Sequence, residues 1–91
     1  MTGRYLEVTY RDGRPLAAYL SLPRRDGDRS ARVEARSGLH DYLVDWTTDD
    51  RPIGIEMPTP SRVTLAGLNA VLASLDLDES SAAEVAPIID F

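Results

Sequence analysis

LHDYLVDWTTDDRPIGIEM, residues Leu39–Met57, decides the fold. Its first part alternates, with His40, Tyr42, Val44 and Trp46 carrying the bulk on one side. Its last part does the same through Ile53, Ile55 and Met57. Side chains on a strand point alternately to opposite faces, so each run reads as a strand with one apolar side. The polar stretch Thr47–Arg51, with Asp49 and Asp50, supplies the turn between them. Closed so that Trp46 faces Ile53, Val44 faces Ile55 and Tyr42 faces Met57, this hairpin puts both apolar sets on one face. A slip of a single residue would expose them all.

Working outward, the same alternation appears in Tyr5–Arg11 (Leu6, Val8, Tyr10), Pro15–Leu22 (Leu16, Ala18, Leu20, Leu22) and Ser30–Arg36 (Ala31, Val33, Ala35). A two-residue Ser37-Gly38 loop pairs Ala35 with His40, Val33 with Tyr42 and Ala31 with Val44, inward residue against inward residue. In the first hairpin, a two-residue Asp12-Gly13 loop would set Val8 against Ala17 and mismatch the faces. A three-residue loop with Gly13 in a left-handed bulge pairs Tyr10 with Leu16 and Val8 with Ala18, and is preferred. The arginine-rich connection Pro23–Arg29 is polar throughout its length.

Beyond Met57, Pro58-Thr59-Pro60 cannot continue a ladder, so residues 58–63 form a linker. Thr64 suits an N-cap, and Leu65, Leu68, Val71, Leu72 and Leu75 make one helical stripe, predicting a helix over 64–75 that lies on the apolar sheet face. Ser81-Ala82-Ala83-Glu84 has the spacing of a capping box, predicting a short helix over 81–87 that Pro87 stops. The expectation is one α+β domain: a five-stranded antiparallel β-meander over 4–57, one amphipathic helix and a short C-terminal helix.

Ninety-one residues allow one small core. Without cysteine there is no disulfide and no thiolate chemistry, and a single histidine excludes any site needing two imidazoles. The longest uncharged stretch, Val63–Leu75, is far short of a bilayer span, and Arg4 and Glu7 interrupt any signal-like N-terminus, so a cytoplasmic location is expected. The net charge of −5 hides an asymmetry: residues 1–40 hold eight arginines against five acids, residues 41–91 two against ten. Either the halves neutralise each other in the fold or they form a docking face.

The segments Leu6-Glu7-Val8-Thr9-Tyr10, Ala17-Ala18-Tyr19-Leu20-Ser21-Leu22, Asp45 and Pro52-Ile53-Gly54-Ile55-Glu56 resemble the bacterial and archaeal family catalogued as domain of unknown function (DUF) 2283. The resemblance covers about residues 5–62; Ala17-Ala18 stands where the family has Asp-Ala, and the Pro23–Arg29 loop is longer. The family has no established activity. Some members resemble proteins encoded beside small RNase-like toxins, so the resemblance implies an antitoxin-like binding role.

Catalysis has no support in the residues. His40-Asp41 lacks the further histidines a metal-dependent phosphohydrolase needs, no Gly-x-Ser-x-Gly elbow occurs, and the six glycines are scattered singly. The chain is therefore read as a non-enzyme with no cofactor and no resident metal. Arg24, Arg25, Arg29 and Arg32 could contact phosphates, but Asp26, Asp28 and the acidic second half oppose this, and no nucleic acid is expected. Two surfaces stand out. Glu34, Asp41, Asp45, Asp49, Asp50 and Glu56 form a candidate acidic patch on the sheet that could meet a basic protein, with Arg32 and Arg36 neutralising part of it. Ala66, Gly67, Ala70 and Ala73 line an uncharged reverse side of the helix, a candidate homodimer face that the C-terminal segment could instead cover. The expected function is a protein-interaction domain, antitoxin-like and without membrane contact. The alternatives are a small-ligand or divalent-cation binder using the same carboxylates, and a structural homodimer.

Overall fold

A computed structural model describes residues 3–36 and 41–89. The alternating runs become a five-stranded antiparallel sheet: β1 (Tyr5–Arg11), β2 (Arg14–Ser21), β3 (Arg32–Arg36), β4 (Tyr42–Trp46) and β5 (Pro52–Met57). The helix α1 (Leu65–Ser74) follows a 3-10 turn at Pro60–Arg62, and a second 3-10 turn at Ala83–Val85 leads into the short α2 (Ala86–Ile89). The class is α+β, as the patterning predicts.

The strand order is β1-β2-β5-β4-β3, not the chain-order meander. Alternation reports which face a residue occupies and says nothing about which strand lies beside it. The connection from Leu22 to Ala31 is ten residues long, with a reach of up to roughly 33 Å. Crossing from β2 to β3 takes three strand spacings, about 14 Å, so β3 can sit at the far edge. This is the Greek-key arrangement read from one end: a strand, a long connection, then a three-stranded meander whose last member returns beside it. The order also places the most apolar strands centrally. Leu20 and Ile55, both fully buried, face each other across β2 and β5, while the charged β3 takes the edge.

Three details of register depart from expectation. Asp12 and Gly13 form a two-residue turn with φ of 53° and 78°, the left-handed pair that suits a hairpin. Parity is recovered inside the ladder, where the pairing steps from Thr9–Ala17 to Tyr10–Pro15 and skips Leu16; Val8–Ala18 pairs as expected. In the β4–β5 hairpin Val44 faces Ile55, but an irregularity after Asp45 sets Trp46 against Pro52 rather than Ile53.

The third departure reverses a face. β3 pairs Arg36 with Tyr42, Glu34 with Val44 and Arg32 with Trp46, so Arg32, Glu34 and Arg36 share the helix side while Val33 and Ala35 point outward. Residues 37–40, where the Ser37-Gly38 loop and inward His40 are expected, lie outside the described residues. The physical reason is Trp46. The guanidinium of Arg32 stacks over its ring at 4.8 Å and that of Arg36 at 5.7 Å. Stacked cations and arginine stems cover the indole better than valine and alanine could from an edge position. Charged residues on an edge strand also hinder edge-to-edge association.

The helix lies where its leucine spacing puts it. Thr64 Oγ1 accepts a hydrogen bond from Gly67 N–H at 2.9 Å, the expected N-cap, and Leu68, Val71 and Leu72 are buried against the sheet. The C-terminal helical stretch runs over 83–89 rather than 81–87. Pro87 is the second residue of α2 and does not stop it, because a proline in the first turn forfeits no intrahelical bond. Val85 and Ile88 are fully buried and extend the same core. Both helices therefore cover one face of the sheet. No helix among the described residues is long and apolar enough to cross a membrane.

Candidate functional site

The six carboxylates of the expected acidic patch do not assemble. Glu34 lies on the helix side, paired with Arg36 at 2.8 Å and Arg32 at 3.6 Å. That much of the expected neutralisation holds, but Asp41 is matched by Arg62 at 3.2 Å instead of by Arg32 or Arg36. Asp50 meets Arg32 at 2.9 Å. Asp49 is bound by Arg51 at 3.0 Å and by the Thr47 hydroxyl. Only Asp45 and Glu56 share the outward face of the sheet, and only Glu56 has no hydrogen-bond or ionic partner among the described residues. Three of the seven ion pairs among the described residues join the halves of the chain, Arg4–Glu84, Arg32–Asp50 and Arg51–Asp28, and the other four lie within a half. No group of three or more carboxylates or histidines with the geometry to hold a metal ion occurs among the described residues.

One such contact fixes the crossover connection. Arg51, at the start of the β5 segment, donates to Asp28 at 2.9 and 2.6 Å and to Asp49 at 3.0 Å. The Arg51 guanidinium, helped by the Arg25 backbone N–H, lowers the Asp28 carboxyl below its ordinary range. Arg51 and then Thr47 bring Asp49 down to about 2. The other loop arginines divide: Arg24 is half-buried, whereas Arg25 and Arg29 are exposed.

The outward face has its own organisation. Tyr19 lies flat across the strands toward β4, over Gly54, where a β-carbon would overlap its hydroxyl. Glycine inside a strand is a sequence signal of such close approach, and it was the available clue to this feature. The Tyr19 hydroxyl donates to Asp45 Oδ2 at 2.8 Å and accepts from Arg24 Nη2 at 2.9 Å, while Ser30 donates to Asp45 Oδ1 at 3.1 Å. Burial, then the hydrogen bond to Asp45, pushes the phenol above its ordinary range. This network pins the crossover loop to the sheet. It leaves the rest of the face bare: Val33 is 53% exposed at the β3 edge, with Ala35 exposed and Leu43 half-buried next to it, and Tyr5 is 45% exposed at the opposite, β1 edge. Between β1, β2 and β5 a shallow groove of about 200 Å³ is lined by Glu7, Thr9, Ala17, Ala18, Tyr19 and Glu56.

The helix face expected to dimerise is partly as read. Ala66, Ala70 and Ala73 are exposed, and the C-terminal segment packs on the sheet side instead of covering them. Gly67 belongs elsewhere: it is half-buried, and a β-carbon there would crowd the Tyr42 hydroxyl at 2.5 Å. A contact not foreseen is Arg4, which donates to both carboxylate oxygens of Glu84 and to the carbonyls of Asp78 and Glu79. It spans 80 residues of sequence, a separation over which local patterning carries no signal. It also diverts Glu84 from the reciprocal half of the expected capping box.

In comparisons with known proteins, no family model, no curated protein and no solved structure matches the chain.

Proposed function

We propose that the chain is a protein-interaction domain without catalytic machinery, and that its partner docks on the open face of the sheet. The observation that supports this is the one-sided construction: both helices pack on one face, and the other leaves Val33, Ala35 and Leu43 uncovered on β3 and β4, with Tyr5 exposed apart from them at the β1 edge. An exposed apolar patch framed by polar residues is the usual mark of a binding surface. The antitoxin-like role implied by the resemblance to DUF2283 is the specific form of this proposal, with the binding surface moved from the dispersed acidic set to the open face. A cytoplasmic setting belongs to the same proposal.

A second reading has its own observation. Ala66, Ala70 and Ala73 lie exposed on a helix that carries no charge, a surface on which two backbones can approach closely. In this reading a homodimer forms through α1 and leaves the sheet free for the partner.

A photo-cross-linking residue placed at Val33, and separately at Ala70, tests both. In cells that make the protein natively, a heterologous adduct at Val33 supports the first reading and a self-adduct at Ala70 supports the second. Adducts at neither position would overturn both.

A further inference from the structure

We infer that two copies of this chain pair through the free edge of β1, antiparallel about a two-fold axis at Thr9, so that Glu7 of each copy meets Arg11 of the other. This goes beyond the open-face reading and does not depend on it. The two edges of the sheet, β1 and β3, differ. On β3, five residues long, the charges are engaged: Glu34 binds Arg36 and Arg32, and both arginines lie over Trp46. β1 is seven residues long, carries no proline, and is laddered on one side only, to β2. Its other side presents backbone N–H and C=O groups to which a further strand can pair. Of the four large apolar side chains exposed among the described residues, three belong to the β1–β2 hairpin: Tyr5, Tyr10 and Leu16.

Charge selects the occupant and its register. Glu7, Thr9 and Arg11 alternate onto the outward side of β1. Arg11 stands directly across from Arg14, a like-charge pair that costs stability. None of Glu7, Arg11 and Arg14 has an ion pair among the described residues. In a two-fold ladder centred on Thr9, each Glu7 faces Arg11 of the second copy, beside its Arg14, and supplies the missing counter-charge. On the helix side each Val8, half-buried, comes against Tyr10, which is 55% exposed. A slide of two residues, the smallest that keeps every side chain on its face, undoes this match. One direction sets Glu7 against Thr9; the other sets Val8 against Asp12 and Glu7 against Gly13. A strand of another protein would need the same spacing of acid and arginine, whereas a second copy supplies it by symmetry. The product is one continuous sheet with both helix layers on one side, and Tyr5, Val33 and α1 lie outside the paired run.

The test is sedimentation velocity on the intact protein at low salt, from micromolar to millimolar concentration. A monomer–dimer equilibrium is expected, with dimerisation at least tenfold weaker in Glu7→Arg and in Arg11→Glu, because each reversal sets like charges across the junction. An equimolar mixture of these two variants, and the Glu7→Arg/Arg11→Glu double variant, should return to within threefold of the parent, since opposite charges then face each other again. The chain has no cysteine, so Thr9→Cys provides a lone thiol that should close a disulfide across the axis on mild oxidation, while Glu7→Cys should not. A monomer at every concentration would overturn the pairing. So would a dimer that ignores both charge reversals, and if Ala70→Glu abolishes that dimer, association runs through α1. Either failure leaves the open-face reading standing, because the cross-link at Val33 tests it separately.

Discussion

The two faces of this sheet are made from the same five strands and do different work. On the helix side Leu20, Val44, Ile55 and Met57 are fully buried, in one cluster with Leu68, Val71 and Leu72 of α1 and Val85 and Ile88 of the C-terminal segment. On the other side the row Glu7–Tyr19–Glu56–Leu43–Ala35 is covered by neither helix, and Tyr19 is met from outside the sheet by Arg24 of the crossover connection. The stability of the molecule is thus concentrated on one surface, and the second surface is held in shape by the backbone ladder beneath it. A protein built this way can vary or occupy its open face without disturbing its core.

That contrast can be broken first where it is steepest. Ile55→Ala removes a fully buried side chain from the central strand, and unfolding free energy should fall by about 2–5 kcal/mol in denaturant titration. Next comes the clasp that holds the covering segment down. Arg4→Ala strips the ion pair with Glu84 and two carbonyl contacts, and should cost about 2 kcal/mol. Hydrogen exchange should rise around Val85 and Ile88 while β4 is unaffected.

Smaller effects belong to the open side. Tyr19→Phe removes the hydroxyl that joins Arg24 to Asp45, at a cost of about 1 kcal/mol. The crossover loop should loosen first, seen as faster exchange across residues 24–30. A pH series sharpens the role of the second loop contact. Asp28 and Asp49 both titrate lower in the folded protein, Asp49 at about 2. Their contribution is therefore complete above the unfolded carboxyl pKa of about 3.9 and is lost as pH falls through the folded values. Asp28→Asn/Asp49→Asn should melt below the parent at pH 6, and the gap should close near pH 2.

The sequence spoke clearly about which segments are strands and helix, correctly about the faces of four strands, and poorly about neighbours. All five strands, the helix and its Thr64 cap follow from alternation, turn residues and helical spacing, because each is a local property. The place of β3 does not, because a ten-residue connection is compatible with more than one sheet position. Its reversed face was hidden for a related reason. Val33 and Ala35 look inward by hydrophobicity alone, and only the arrival of Trp46 from another strand makes Arg32 and Arg36 the better cover. The expected acidic patch dissolved with that reversal, since Glu34 moved to the helix side and Asp41 found Arg62 beyond β5. What remained legible of the site was Glu56 and Asp45, together with Gly54 as the residue that lets Tyr19 lie flat.

If a partner docks on the open face, that face should be spare surface of the folded chain. The direct measurement is the unfolding free energy of Tyr5→Thr/Val33→Thr against the parent, taken over a hundredfold range of protein concentration. Threonine keeps strand propensity while removing the exposed apolar groups. The difference should stay under about 1 kcal/mol at every concentration. A loss approaching that of Ile55→Ala, or a difference that grows with protein concentration, would mean that this face is already part of a core and would contradict the account.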